Sequence, residues 1–292
     1  MESIIINSIT ELLTHVYSLD PLSTHHRFRG QSIFSWSLQP SIYRFQNFKR
    51  YQTMFFEEIL LAHKPISPIP PLLNTTLNLE WLMLSQHYSV PTRFLDWTSD
   101  ILTSLYFACN ENFNEDGAIF ICNQNDYKTI PNITHDPMEI QDLVFINTNI
   151  INPRLRAQSG SFMVWGHSPL NQEKSRESYD LWEYYTHNLD KSHFIQKLMI
   201  PKDLKKNFLL ELNNYYNINK NSLYLRGSIE ENLINNFQII TNKAIKYTLF
   251  ITDADKLSTI DKEIIRQIMP QLGENCFGGC ENMISIKGLI RI

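Results

Sequence analysis

WLMLSQHYSVPTRFLDWTSDILTSLYFACN, residues 81–110, is the stretch whose reading decides the fold of this chain. Its opening continues a helix predicted over 79–88. Asn78 is placed to cap that helix, Leu82, Leu84 and Tyr88 supply apolar positions, and Pro91 halts it. Its close is a second helix, capped by Ser99 or Asp100, in which Ile101, Leu102, Leu105, Tyr106 and Cys109 make an apolar stripe. Between them, residues 93–98 read as a turn, with Arg93, Asp96, Trp97 and Thr98 set between two apolar helix faces. Burying such groups, with Gln86 and His87 beside them, requires hydrogen-bonded partners, because an unpaired buried charge is expensive.

Upstream, residues 1–19 read as a short strand running into an amphipathic helix. Leu12, Leu13 and Val16 share one face of it, and Ser8 or Thr10 caps it. Next comes RFRGQ, residues 27–31, a polar Arg29-Gly30-Gln31 centre flanked by Phe28, Ile33 and Phe34. Residues 50–63 look helical, and Pro65, Pro68, Pro70 and Pro71 end that helix. Downstream, strands are expected at 117–122, 143–146, 162–165 and 194–200, the last stopped by Pro201, with an excursion at 166–190. A helix at 203–215 carries Leu204, Phe208, Leu209 and Leu212 on one side. Ser228 and Glu231 have capping-box spacing for a helix reaching towards Thr241, and a strand, a helix and a strand close the chain. This order gives an α+β fold with mixed strands. The expected division is a main domain over 1–243 and a C-terminal extension over 244–292.

The totals bound the class. Across 292 residues, 43% hydrophobic and 12% aromatic content describe a globular chain, and a formal net charge of -4 argues against a general nucleic-acid coat. No basic flank followed by an apolar run opens the chain, and no segment approaches about 18 consecutive apolar residues. A soluble, cytoplasmic protein without membrane contact is expected. Cys109 and Cys122 lie in apolar runs, where a thiol is usually a small buried hydrophobe. Cys276 and Cys280 have a loose metal-like spacing but lack a second pair of ligands, so no metal site is expected.

Several residues could carry chemistry. Arg29, between an aromatic residue and a glycine, suits a phosphate or carboxylate, or equally an internal pair with an acid such as Asp96. Asp96 could pair with Arg93 or Arg29. Thr98 suits a helix cap and also a hydroxyl facing a ligand, the cap being the blander role. Trp97 and His87 are more often core aromatics than ligand stackers. Arg154, Arg156 and Gln158 precede a strand, where alternation sends all three to one face, to read an anion or to be solvated. Lys202, Lys205 and Lys206 read as a solvated basic helix start. The sequence has no G-x-S-x-G, H-E-x-x-H, G-x-x-x-x-G-K-[ST] or G-x-G-x-x-G motif.

FRGQ at 28–31, WSLQPSIYR at 36–44, QHYSVPTRFLDWTSDILTSLYFAC at 86–109, RLRAQSGSF at 154–162 and NSLYLRGSIEENL at 221–233 occur in this order. Together they resemble the FRG domain, a family of mostly bacterial proteins named for an aromatic-Arg-Gly motif, and the likeness spans about residues 24–233. A more distant likeness links these motifs to ADP-ribosyltransferases, which implies a split mixed sheet with flanking helices. In that scheme Arg29 holds the diphosphate of NAD, Thr98 and its helix form the second element, and Gln158 falls where the family's acid stands, so that Arg29, Thr98 and Gln158 make the catalytic set. Gln31, His87, Arg93, Trp97 and Tyr106 then border the nucleotide, with Trp97 or Tyr106 next to the nicotinamide.

A neutral amide at 158 stabilises oxocarbenium character only feebly, so transfer needs Asp96, Glu173 or Glu177 to supply the charge. The expectation is an intracellular ADP-ribosyltransferase-like or NAD-binding effector, of toxin or phage-defence type, acting on a protein or nucleic-acid target. The alternative is a non-catalytic sensing or interaction module whose Arg29/Arg93/Asp96 network is structural. Oligomeric state is not legible.

Overall fold

The computed structural model describes residues 4–19, 25–44, 56–57, 60–61, 78–87, 90–130, 136–140, 142–146, 153–166, 195–224 and 241. The chain divides into two compact units. The first comprises Met1–Pro40, Phe94–Ile133 and Ile140–Gly227, and the second Ser41–Arg93, Thr134–Glu139 and Ser228–Ile292. The expected excursion beyond Gly166, the helix opening at Ser228 up to Thr241 and the closing elements from 247 onward lie outside the described residues, as do Cys276 and Cys280.

The first unit is built on one eight-stranded mixed sheet, so the α+β expectation holds. In chain order the strands are β1 (Ile4–Ile5), β2 (His26–Gln31), β3 (Phe94–Thr98), β4 (Gly117–Asn123), β5 (Lys128–Ile130), β6 (Leu143–Ile146), β7 (Gly160–Trp165) and β8 (Ile195–Ile200). They lie in the order β1-β8-β4-β2-β3-β7-β6-β5. The two outermost pairs, β1 with β8 and β5 with β6, are parallel, and the remainder are antiparallel. β4 reads Gly-Ala-Ile-Phe-Ile-Cys-Asn and is buried along nearly its whole length, as a strand covered on both faces must be.

Residues 94–98 form strand β3 and not the turn expected of them. Phe94, Trp97 and Thr98 are strand formers, and four of the five residues are buried. Asp96, which suggested a turn, is the exposed one. Five register pairs with β7 outweigh its local preference.

Helices cover one face of this sheet: α1 (Ile9–Leu19), α4 (Ile101–Cys109), α6 (Lys205–Tyr216) and α7 (Lys220–Tyr224). Ile9 and Leu12 of α1, Phe28 of β2, Leu105 and Ala108 of α4, and Phe208 and Leu212 of α6 share one core. Leu13, expected on the buried face of α1, is exposed, because the stripe runs through Ile9, Leu12 and Val16. Ser8 caps α1 by accepting from the Glu11 backbone N–H at 3.1 Å, while Glu11 Oε2 accepts from Asn7 N at 2.8 Å. Asp100 caps α4, its carboxylate accepting from Leu102 N and Thr103 N, each at 3.1 Å.

The second unit contains α2 (Ser41–Arg44) and α3 (Asn78–His87). Its buried Arg93 donates from Nε to Glu57 Oε2 at 2.7 Å and from Nη2 to the Pro137 carbonyl at 2.8 Å. A carboxylate and a carbonyl together satisfy a guanidinium that has left water. Arg93 was expected to serve Asp96 or a ligand, and the structure gives it to Glu57. His87 ends α3, and its side chain lies outside the described set.

Candidate functional site

Alternation along β2 sorts its residues onto two faces. Phe28 enters the helix-covered core. Gly30 points the same way: a Cβ there would lie 1.9 Å from the Ser104 carbonyl oxygen and 2.7 Å from Ala108 N. The backbone of α4 thus comes so close that only glycine fits. Arg27, Arg29 and Gln31 take the opposite face, in register with Cys122, Phe120 and Ala118 of β4. Beyond Phe120 the row continues to Lys197 of β8. The Lys197 ammonium stands 4.2 Å from the Phe34 ring centroid and 5.2 Å from that of Phe120.

Where β2 meets β3, the ladder is reduced to one register pair, Phe28 with Thr98. On either side of it, β2 has six pairs with β4 and β3 has five with β7. The sheet is therefore two halves joined at a seam. One step along from that pair, Arg29 projects to the face shared by Trp97 and Leu95. Its Nη1 donates to the backbone carbonyl of Asp96 at 2.7 Å, so a side chain takes the place of a ladder bond. The Asp96 carboxylate lies 3.9 Å from the same nitrogen, with 55% of its side chain exposed against 15% for Arg29. That long, half-solvated ion pair contributes at most about 1 kcal/mol, and the charge-assisted bond to the carbonyl about 1.5–3 kcal/mol.

Beside Arg29 lie three polar atoms that are buried and have no hydrogen-bond partner: Trp97 Nε1, Ser161 Oγ and Gln31 Oε1. Trp97 and Ser161 are register partners on β3 and β7, and the Trp97 ring meets Phe145 edge-on at 6.2 Å. Gln31 donates from its amide nitrogen to the Ser37 carbonyl at 3.5 Å, which leaves the amide oxygen unmatched.

Thr98 and Gln158 come together, but on the other side of the strand from Arg29. The Thr98 hydroxyl donates to the Gln158 carbonyl at 2.7 Å and accepts from Asp100 N at 3.0 Å, bracing the turn into α4. The Gln158 amide nitrogen donates to the Leu223 carbonyl at 3.1 Å. Tyr106 lies in the helix-covered core, against Phe107, and burial raises its pKa above the usual phenol value. Arg154 and Arg156 do not share a strand face, because Pro153–Ala157 is a short helix, α5. Residues two apart on a helix diverge, and the Arg154 guanidinium sits 4.5 Å over the Tyr224 ring. Among the described residues no cluster of three or more His, Cys, Asp or Glu could hold a metal ion.

Lys205 departs furthest from its expected solvated role. It is fully buried, and its ammonium donates to the carbonyls of Ser32 at 2.6 Å, Asn112 at 3.0 Å and Glu111 at 3.2 Å. It ties the end of β2 and the end of α4 to the start of α6. Burial lowers its pKa, with Cys109, Asp116 and Glu115 acting in the opposite direction. Its position four residues after Pro201 and next to Lys206 gave no warning, since buried and solvated lysines look alike in a basic run. Ser161 was also missed, although it sits inside the motif at 154–162. Cys109 and Cys122 are buried thiols as expected, the first pushed up to about 12 and the second well above its usual value, chiefly by desolvation.

The model of the FRG domain matches residues 24–117, which run from just before β2 to the first residue of β4. The chain carries an FRG domain. That match takes in the aromatic-Arg-Gly strand, the Trp97 strand and the capped helix α4, so both sides of the seam belong to the FRG segment. The glycine of the FRG motif is the residue that admits α4, and its arginine is the one that bonds across the seam. No curated protein and no solved structure matches the chain. No helix among the described residues is long and apolar enough to cross a membrane.

Proposed function

We propose that the FRG domain binds NAD or a related nucleotide at the seam between β2 and β3, as the working site of an intracellular effector of toxin or phage-defence type. The observation that carries this reading is Arg29: a motif arginine set in a ladder opened to one pair, with its guanidinium on the face where Trp97 and Ser161 hold unused donors. A cation ringed by neutral donors suits an anionic oxygen, and a diphosphate supplies several. The ADP-ribosyltransferase-like scheme is consistent with a sheet in two joined halves, as an analogy of architecture.

Whether transfer accompanies binding turns on the acid. Gln158 offers an amide already bonded to Leu223, and Thr98 is occupied with backbone. Asp96, half exposed and 3.9 Å from the Arg29 guanidinium, is the carboxylate beside that arginine that could support a developing positive charge. The second reading, a sensing module without chemistry, is favoured by the same commitment of Thr98 and Gln158.

Incubating the protein with NAD and following nicotinamide release separates the two. Release abolished by Asp96→Asn, with the fold intact, supports transfer. Binding of NAD without release supports the sensor. Absence of both binding and release overturns the nucleotide reading.

A further inference from the structure

We infer that Trp97, Ser161 and Gln31 form a two-point subsite beside Arg29 for an oxyanion and a neighbouring hydroxyl, the phosphate and sugar of a phosphorylated ribose. This rests on the reading of the seam as a ligand site, and deepens it by naming which part of the ligand lies where.

Buried polar atoms are paired as a rule, and an unmatched one is costly. Here three occur on one face of the sheet, on the neighbouring strands β2, β3 and β7. Trp97 is 2% exposed and Gln31 4%, so bulk water does not satisfy them. Trp97 and Ser161 are in register on neighbouring strands, about 5 Å apart. Arg29 faces the same side across the seam, and Gln31 follows it by two residues, about 7 Å along β2.

The donor inventory then fixes the ligand chemistry. An indole N–H can only donate, a serine hydroxyl can donate, and an amide oxygen can only accept. Trp97 and Ser161 beside a guanidinium therefore call for an oxyanion. Gln31 Oε1 calls for a hydroxyl or an amine one sugar's length away. Next to Arg29 an ammonium would be repelled, which leaves the hydroxyl. A phosphate flanked by ribose hydroxyls meets both demands, and an isolated anion meets one.

The test is calorimetric titration of ribose 5-phosphate, inorganic phosphate and NAD into the full chain and into Trp97→Phe, Ser161→Ala and Gln31→Met. Ribose 5-phosphate should bind the wild type. Affinity should fall about tenfold on loss of either donor, the equivalent of one hydrogen bond. Gln31→Met should weaken ribose 5-phosphate while leaving inorganic phosphate unchanged. Ser161→Ala should also melt at or above the wild-type temperature without ligand, since it deletes a bond that is not made; it stands alone if Trp97→Phe loses too much packing against Phe145.

Equal affinity across the variants overturns the subsite, and so does a Ser161→Ala protein that melts lower and binds normally. If NAD binds the wild type and all three variants alike, the subsite falls and the nucleotide reading stands. Variant-sensitive binding of ribose 5-phosphate without any binding of NAD supports the subsite and removes the nucleotide reading. If neither ligand binds, the subsite and the nucleotide reading both fall.

Discussion

Gly30→Ala is the perturbation whose size follows most directly from the geometry. The added Cβ would sit 1.9 Å from Ser104 O and 2.7 Å from Ala108 N. Ordinary contact needs roughly 1.5 Å more room, and both obstacles are helix backbone that no rotamer change can clear. Either α4 lifts from the sheet, loosening the packing of Phe28 against Leu105 and Ala108, or β2 moves and carries Arg29 away from Asp96. Overpacking of this kind costs about 3 kcal/mol or more, or about 6–12 °C in melting temperature. Two other glycines calibrate the estimate. Gly117→Ala meets the Ala108 carbonyl oxygen at 2.5 Å and should cost less. Gly160→Ala meets the Leu155 Cδ1 methyl at 2.4 Å, a side-chain tip that can shift, and should cost about 1 kcal/mol. Thermal melts of the three variants give the order. A Gly30→Ala protein that melts with the wild type, or a Gly160→Ala protein that melts lowest, would refute the claim that the motif glycine is a steric requirement of the α4 approach.

Removing one partner of the buried Arg93–Glu57 pair should be severe: Arg93→Met leaves Glu57 uncompensated and should cost about 3–5 kcal/mol in urea unfolding. Lys205→Met takes the ammonium from three carbonyls and should cost about 2–3 kcal/mol, with no change in net fold by circular dichroism. Glu80 is buried and its carboxyl is raised to about 7 by desolvation, from 4.5. Between those values the folded state holds a proton that the unfolded chain has released, so stability falls as pH rises from about 4.5 to about 7. Melts across that range should show the decline, and Glu80→Gln should flatten it.

Helix ends and buried runs were legible because their determinants are local. Asp100, one of two cap candidates before an apolar stripe, announced α4, Ser8, one of two candidates, announced α1, and the apolar run at 117–122 announced a buried strand. Residues 94–98 were not, because Asp96 favours a turn locally while β7, more than sixty residues on, supplies the pairing that makes a strand. Long-range pairing leaves little trace in a single segment. The same limit hid the partners of the charges. Arg93 and Asp96 lie three residues apart, yet one goes to Glu57 and the other to Arg29. Lys205 shows the converse: its three carbonyl acceptors are backbone atoms, which no side-chain pattern encodes. Of the candidate site, the sequence carried Arg29, Gln31 and Trp97. Their sharing of a face, and the pairing of Thr98 with Gln158 on the other, came only from the register of the sheet.

Whether Arg29 grips a nucleotide at the seam is decided by titration of NAD into the wild-type chain and into Arg29→Ala, with the unfolding midpoint of each measured alongside. The wild type should bind NAD saturably, and an Arg29→Ala protein that remains folded should bind it at least tenfold more weakly. Undiminished affinity in a folded Arg29→Ala protein would contradict that grip.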